Sequence, residues 1–285
     1  MLRRKKLLFG GPLLIGLITL SFLGLFVIYS ASGENFSVMV RQGIRLGIGW
    51  VVMILVAQIS PETIKRFSPH LFIVGVVVLI LVLLVGVVAK GAQRWLDLGI
   101  FRFQPSELMK LALPMMVAWL MTRDKLPPTF AIILLALVLT AIPTGLVVIQ
   151  PDLGTGIMLA ASGLLVIFLA GIRWRHLMMM LATVAAVAPF LWSQLHDYHR
   201  QRILTLFDPW ADPMGSGYQT IQAQIAIGSA GIWGKGWLQG SQSHLEFIPE
   251  RSTDFIFAVF AEEFGLVGVL ILIVLYLFIA GRCLA

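Results

Sequence analysis

Residues 247–264 read FIPERSTDFIFAVFAEEF, and five ionisable groups (Glu250, Arg251, Asp254, Glu262 and Glu263) fall within fourteen of them. The last two lie inside an apolar run that extends from about residue 255 to 280. About 20 apolar residues suffice for a helix to cross a bilayer, so this run predicts a membrane span. Ser252, Thr253 and Asp254 all favour the N-cap position, which places the start of the helix here. On such a helix Asp254, Ala258 and Glu262 share one stripe, with Glu262 about 12 Å along the axis from Asp254. A cap accounts for Asp254. It does not account for Glu262 and Glu263 at depth, where a charge costs about 2.5–3.5 kcal/mol or more. Something polar must meet this helix.

The rest of the chain has the same apolar character. Of its 285 residues 59% are hydrophobic and 12% charged, and the mean hydropathy is +0.93. Soluble domains carry about 25% charged residues. Apolar runs fall at about residues 7–29, 44–59, 71–89, 105–121, 130–149, 155–172, 176–193 and 255–280, separated by turn signals such as Ser60-Pro61, Ser68-Pro69 and Pro127-Pro128. Lipid leaves the helix as the only viable form for isolated runs. The expectation is an all-α polytopic membrane protein of eight spans, a single domain over 1–285. The opening MLRRKK and its long apolar run read as a retained first span rather than a cleaved signal peptide. A single cysteine, Cys283, excludes an internal disulfide and a cysteine metal cluster. The net charge of +7 reflects basic residues flanking the spans rather than nucleic-acid binding.

Lysine and arginine set the orientation. With a cytoplasmic N-terminus that face holds eleven basic residues, Arg3 through Lys6, Lys65, Arg66, Arg123, Lys125, Arg173, Arg175 and Arg282, against two acids, Glu62 and Asp124. The other face then carries a loop of about sixty residues, 194–254. Structureless loops longer than about 12–15 residues are uncommon. This one contains Trp210, Tyr218, Trp233, Trp237, Phe247 and the helix-like TIQAQIAIGSAG, and is expected to form a partly helical extracytoplasmic cap.

Two further places hold charge where lipid disfavours it. KGAQRWLDLGIFRFQPSELMK (90–110) brings Arg94, Asp97, Arg102, Glu107 and Lys110 to the ends of the third and fourth spans. With Pro105 at helix position N1, Glu107 and Lys110 lie three apart on one face and can pair, either as a structural ion pair or as part of a polar cavity. In IQPDLGTG (149–156) Asp152 reads equally as a helix cap or as a site residue. His196 and His199 lack a third ligand for a metal site. No phosphate-loop motif supports ATP-driven transport. GIWGKG (231–236) reads as a glycine-rich turn.

These stretches together, FIPERSTDFIFAVFAEEFGLVG, RILTLFDPWADPMGSGYQTIQAQIAIGSAGIWGKGW, RWLDLGIFRFQPSELMKLA and QPDLGTG, resemble the SEDS (RodA/FtsW) membrane proteins, with the match closest to the elongation branch. The resemblance runs from the first span to the end of the chain. It implies a peptidoglycan glycosyltransferase that polymerises lipid II on the outer face of the bacterial inner membrane during cell elongation. It further implies a class B penicillin-binding protein, a transpeptidase, as activating partner, with other elongation-complex membrane proteins. Asp254 matches the family's essential aspartate, the catalytic base, while Glu107, Lys110 and Asp152 match polar positions of its central cavity. The family has ten spans and this chain ends after its eighth, at GRCLA, so a C-terminally shortened form is expected. Many members have histidine where Ser252 stands.

That chemistry fits the charges. Displacement of undecaprenyl pyrophosphate with inversion needs one base and no acid, because the leaving group departs as an anion. Its charge needs cations, for which Arg94, Arg102, Lys110, Arg200, Arg202, Lys235 and Arg251 are the candidates. Glu107, Asp152, Glu262 and Glu263 are the polar groups of the cavity, and a divalent cation (magnesium or manganese) on Asp152 or Glu262 is a further expectation. Intramembrane carboxylates with basic neighbours also describe a lipid II flippase or ion-coupled transporter, and a non-catalytic scaffold is a third reading.

Overall fold

The computed structural model describes residues 10–89, 92–97, 99, 102–123, 126–194, 197–241 and 250–284. Among the described residues each of the eight apolar runs is mainly helical, and the run at 71–89 ends its helix at Val85 and closes in a short strand. In chain order the helices are α1 (Gly11–Ala31), α2 (Phe36–Ala57), α3 (Pro61–Val85), α4 (Pro105–Met121), α5 (Phe130–Ile149), α6 (Leu153–Leu169), α7 (Trp174–Gln194) and, after two shorter helices, α10 (Ile256–Leu284). Among the described residues five of them, α1, α2, α3, α5 and α10, are long and apolar enough to cross a membrane. The protein is a polytopic all-α membrane protein, and exposed side chains such as Phe22, Ile48, Leu84, Leu135 and Leu277 have lipid as their natural solvent.

Two boundaries differ from expectation. Helix α2 begins at Phe36, well before the apolar run, because the Asn35 side chain accepts from the Ser37 and Val38 amides and starts a helix that carries Arg41 and Arg45 on its first turns. Helix α3 begins at Pro61, capped by Ser60, and runs straight through Ser68-Pro69. The Ser68 hydroxyl donates to the Ile64 carbonyl (2.8 Å), so the dipeptide taken for a break is absorbed within the helix.

The chain divides into two compact units, Ile59–Leu195 and the remainder, Met1–Gln58 with His196–Ala285. In the first, α3 packs on α4, α4 on α6 and α5 on α6 around fully buried Leu79, Met109, Leu113, Val117, Ile133, Leu159 and Ile167. Gly163 lets α6 approach α5, since a Cβ there would strike the side chain of Thr140. This unit also contains a small antiparallel sheet that the sequence did not suggest: β1 (Val87–Ala89), β2 (Ala92–Asp97) and β3 (Arg102–Phe103), with Val87 opposite Trp95 and Leu96 opposite Phe103.

In the second unit α1 packs against α2 and α10. The described residues of the long connection include α8 (Asp197–Phe207), a 3-10 turn (Pro209–Ala211) and α9 (Tyr218–Ser229). Helix α9 lies on α10, with Ala223 and Ala226 meeting Ala258 and Phe255. Trp237 stacks on Phe26 of α1, ring centroids 4.4 Å apart.

Candidate active site

Helix α10 is not continuous. At Gly265 the backbone adopts φ 63°, ψ −164°, far from helical values and in a region only glycine populates readily. A break inside an apolar helix frees carbonyls on one side and amides on the other, and lipid satisfies neither. Here the GIWGKG loop satisfies them. The Lys235 and Gly236 amides donate to the Glu262 and Glu263 carbonyls (2.9 and 3.0 Å). The Leu266 and Val267 amides donate to the Gly231 and Ile232 carbonyls (3.1 Å each). Contact is backbone to backbone: a Cβ on Gly265 would lie 2.6 Å from the Ile232 carbonyl oxygen, and one on Gly234 would lie 2.6 Å from the Gly265 amide nitrogen. The loop that read as an ordinary turn is the strap that makes the broken helix possible.

Glu262 and Glu263 sit at this break, both buried. Lys235 Nζ reaches Glu262 Oε1 at 2.7 Å and also donates to Ser241 Oγ at 2.7 Å. Ser30 of α1 and the Leu238 amide (3.2 Å) both donate to Glu263 Oε1. The polar partners that the sequence demands for these carboxylates include Lys235 of the strap, the Leu238 amide and Ser241 hydroxyl just beyond it, and the Ser30 hydroxyl of α1. Lys235, expected at a pyrophosphate, is engaged at 2.7 Å with a carboxylate that has no exposed surface.

Asp254 is placed differently. Residues 250–255 form a turn in which the Thr253 and Phe255 amides both donate to the Glu250 carbonyl (3.2 Å each), and helix α10 starts only at Ile256. Neither Thr253 nor Asp254 caps it: the Thr253 hydroxyl turns back to Glu250 (3.2 Å to Oε2). The Asp254 side chain is exposed and makes no hydrogen bond or ion pair among the described residues. Two expectations are corrected by this. Asp254 is not the cap of α10, and it does not extend the stripe of Ala258 and Glu262, both of which are buried. The cheap structural explanation for the aspartate is thereby removed. Arg251 shares its turn, half-buried, with its guanidinium close to Gly33.

In the other unit the expected charges form local pairs. Lys110 Nζ meets Glu107 Oε1 at 2.7 Å on the first turns of α4. Arg94 of β2 donates to the Gln150 and Pro151 carbonyls (3.4 and 2.6 Å) and lies 3.6 Å from Asp152, tying the sheet to the α5–α6 turn. Asp152 also caps α6, accepting from the Thr155 amide and hydroxyl (3.2 and 3.0 Å). The cap reading of Asp152 holds, and the carboxylate also pairs with Arg94. Arg102 is exposed, 3.8 Å from Asp97. Arg200 is half-buried on α8. The Arg202 side chain, His196, Phe247 and the basic residues of MLRRKK lie outside the described residues.

The donor sets at Asp152 and Glu262 do not suit a divalent cation. Each carboxylate already faces a basic side chain and a hydroxyl. Among the described residues no group of three or more His, Cys, Asp or Glu is placed to hold a metal ion.

Comparison with known proteins adds the family context. Residues 12–285 match the model of the FtsW, RodA and SpoVE proteins, described as cell cycle proteins. The chain is 51% identical over 271 residues to the peptidoglycan glycosyltransferase MrdB of Escherichia coli K12, covering 95% of this chain and 73% of that one. It is 35% identical over 256 residues to a probable peptidoglycan glycosyltransferase FtsW of Escherichia coli O6:H1, covering 86% and 59%. Among solved structures, a chain from a peptidoglycan synthase complex that coordinates polymerization and crosslinking superimposes with a TM-score of 0.80 at 31% identity, over 97% of this chain and 77% of that one. The rod shape determining protein RodA of Thermus thermophilus does so with a TM-score of 0.66 at 27% identity, over 97% and 74%.

Proposed function

Belonging as it does to the FtsW/RodA/SpoVE family of cell cycle proteins, this chain is a peptidoglycan glycosyltransferase, and we propose that it polymerises lipid II during cell elongation with Asp254 as the general base. The observation that carries the assignment is the state of Asp254. It is an exposed carboxylate at the entry to a membrane helix, held in a turn organised by its neighbours and making no side-chain bond among the described residues. A base must keep its lone pairs available and come within about 2.6–3.2 Å of the proton it takes.

In this proposal Asp254 accepts the proton of the 4-hydroxyl of the incoming lipid II sugar as that oxygen attacks the anomeric carbon of the growing chain. The bond to undecaprenyl pyrophosphate breaks on the opposite face, with inversion, and the pyrophosphate leaves as an anion. Arg251, in the same turn, takes up part of that charge through its planar fork. Lys235 serves instead to neutralise Glu262 and keep the strap in place, and Arg94 fastens the small sheet. Glu107 and Lys110 remain proposed polar groups of the substrate cavity. The active site faces the periplasmic side of the bacterial inner membrane, with the N-terminus in the cytoplasm, on the strength of the lysine and arginine distribution. The partner is a class B penicillin-binding protein, in keeping with the solved synthase complex that this fold matches.

The test is polymerisation in detergent, where no compartment exists. Protein co-purified with its transpeptidase and given lipid II is expected to release glycan strands. No polymer under any condition would favour the transport reading.

A further inference from the structure

Within the unit Ile59–Leu195, α5, α6 and α7 line a half-open apolar cavity of about 660 Å³ that the proposed chemistry does not use. Phe130 and Leu134 of α5, Leu164 and Phe168 of α6, and Met180 and Val184 of α7 are among its walls. The volume is that of a small-molecule site, and apolar cavities of this kind admit apolar ligands rather than water. At the α6–α7 connection the lining includes one polar ring, His176, 5% exposed and 5.5 Å from the Phe130 ring.

His176 carries the argument. Arg175 Nε donates to its Nε2 at 3.3 Å. Arginine is a donor only, so Nε2 is the acceptor and the neutral ring must carry its proton on Nδ1. That Nδ1–H is buried and has no hydrogen-bond partner among the described residues. Buried donors are almost always satisfied, so an acceptor oxygen belongs beside it. Two exposed arginines, Arg173 and Arg175, flank it at the first turn of α7, where the helix dipole also favours an anion.

We propose that this cavity holds an acyl chain of an anionic glycerophospholipid of the surrounding bilayer, its ester carbonyl accepting from His176 Nδ1 and its phosphate lying against Arg173 and Arg175. The three features coincide in one ligand: an apolar tail for the cavity, a neutral acceptor at the depth of the imidazole, and an anion at the arginines. The site is separate from Asp254 in sequence and in chemistry, and it does not depend on the glycosyltransferase reading.

Native mass spectrometry of the full chain in detergent micelles, titrated with palmitoyl-oleoyl phosphatidylglycerol or phosphatidylcholine, tests it. One phosphatidylglycerol is expected to be retained in preference to phosphatidylcholine. Arg173→Gln with Arg175→Gln should weaken phosphatidylglycerol by about 25-fold, at about fivefold per basic residue, and phosphatidylcholine, whose phosphate is countered by its own choline, by much less. Ala161→Trp, which fills the cavity from α6, should displace both lipids. If that variant does not fold, His176→Phe takes its place and should weaken both lipids equally. Equal retention of the two lipids, indifferent to the arginine pair, overturns the proposal. So does phosphatidylglycerol binding that survives the cavity-filling variant, since the lipid would then sit on the surface.

Discussion

Replacing Gly265 with alanine tests whether the strap at 231–236 holds the last helix together. The new methyl has nowhere to go. It would fall on the Gly234 amide and lie 2.6 Å from the Ile232 carbonyl, both backbone atoms that cannot rotate away. The residue must also keep φ 63°, ψ −164°, which costs a non-glycine residue about 1–3 kcal/mol. Relieving the clash means moving the loop, which breaks the four backbone hydrogen bonds across the gap at about 1 kcal/mol each. Strain and lost bonds together come to about 5–7 kcal/mol, a large share of the roughly 5–15 kcal/mol that typically stabilises a domain. The assay is unfolding in mixed dodecyl maltoside and sodium dodecyl sulfate micelles, followed by tryptophan fluorescence. Gly281→Ala is the control: it lies in the same helix with open space around it and is expected to be neutral or stabilising by up to about 1 kcal/mol. A Gly265→Ala protein within about 1 kcal/mol of the parent would refute the reasoning, because the strap would then be incidental.

Lys235→Met removes the ammonium from a fully buried Glu262 and should destabilise by about 3 kcal/mol, with Glu262→Gln in the same chain recovering most of it in the same unfolding assay. Gly163→Val should drive α6 from α5 through Thr140 and cost about 1–3 kcal/mol, partly restored by Thr140→Ala. The Ser216 amide, and then its hydroxyl, hold the Asp212 carboxyl below its ordinary value of 3.8. The carboxylate is thus favoured by folding: its support of the 212–217 turn is complete above that value and lost as pH falls through the lower folded one. Protection of the Ser216 amide against hydrogen exchange, corrected for intrinsic rate, should fall in that acid range, and Asp212→Asn should abolish the dependence.

Hydropathy made the helices legible because lipid enforces long apolar runs, and each run contains a helix. It misplaced boundaries where local hydrogen bonds decide them, at Asn35 for α2 and at Ser60 for α3. The break at Gly265 left no mark on hydropathy, since Phe264, Gly265 and Leu266 read as apolar as their neighbours. Its compensation comes from a loop some thirty residues upstream, and pairing of two glycines across such a distance has no periodic signature. Glu262 and Glu263 were the signal: two carboxylates in lipid announced a partner without saying which. For Asp254 the sequence suggests a helix cap, and only the position of the first helical residue, Ile256, excludes it. The partners of Arg94 and Lys235 are not legible in the sequence, because side-chain type does not disclose a partner distant in the chain.

The most direct measurement is glycan synthesis from lipid II by the Asp254→Asn protein with its class B penicillin-binding partner. Asp254 is exposed and makes no bond among the described residues, so the variant should unfold within about 0.5 kcal/mol of the parent. Its polymerisation rate should fall by about 10²–10⁴, the usual contribution of a general base. Strand synthesis within twofold of the parent, by a protein of equal stability, would contradict the account.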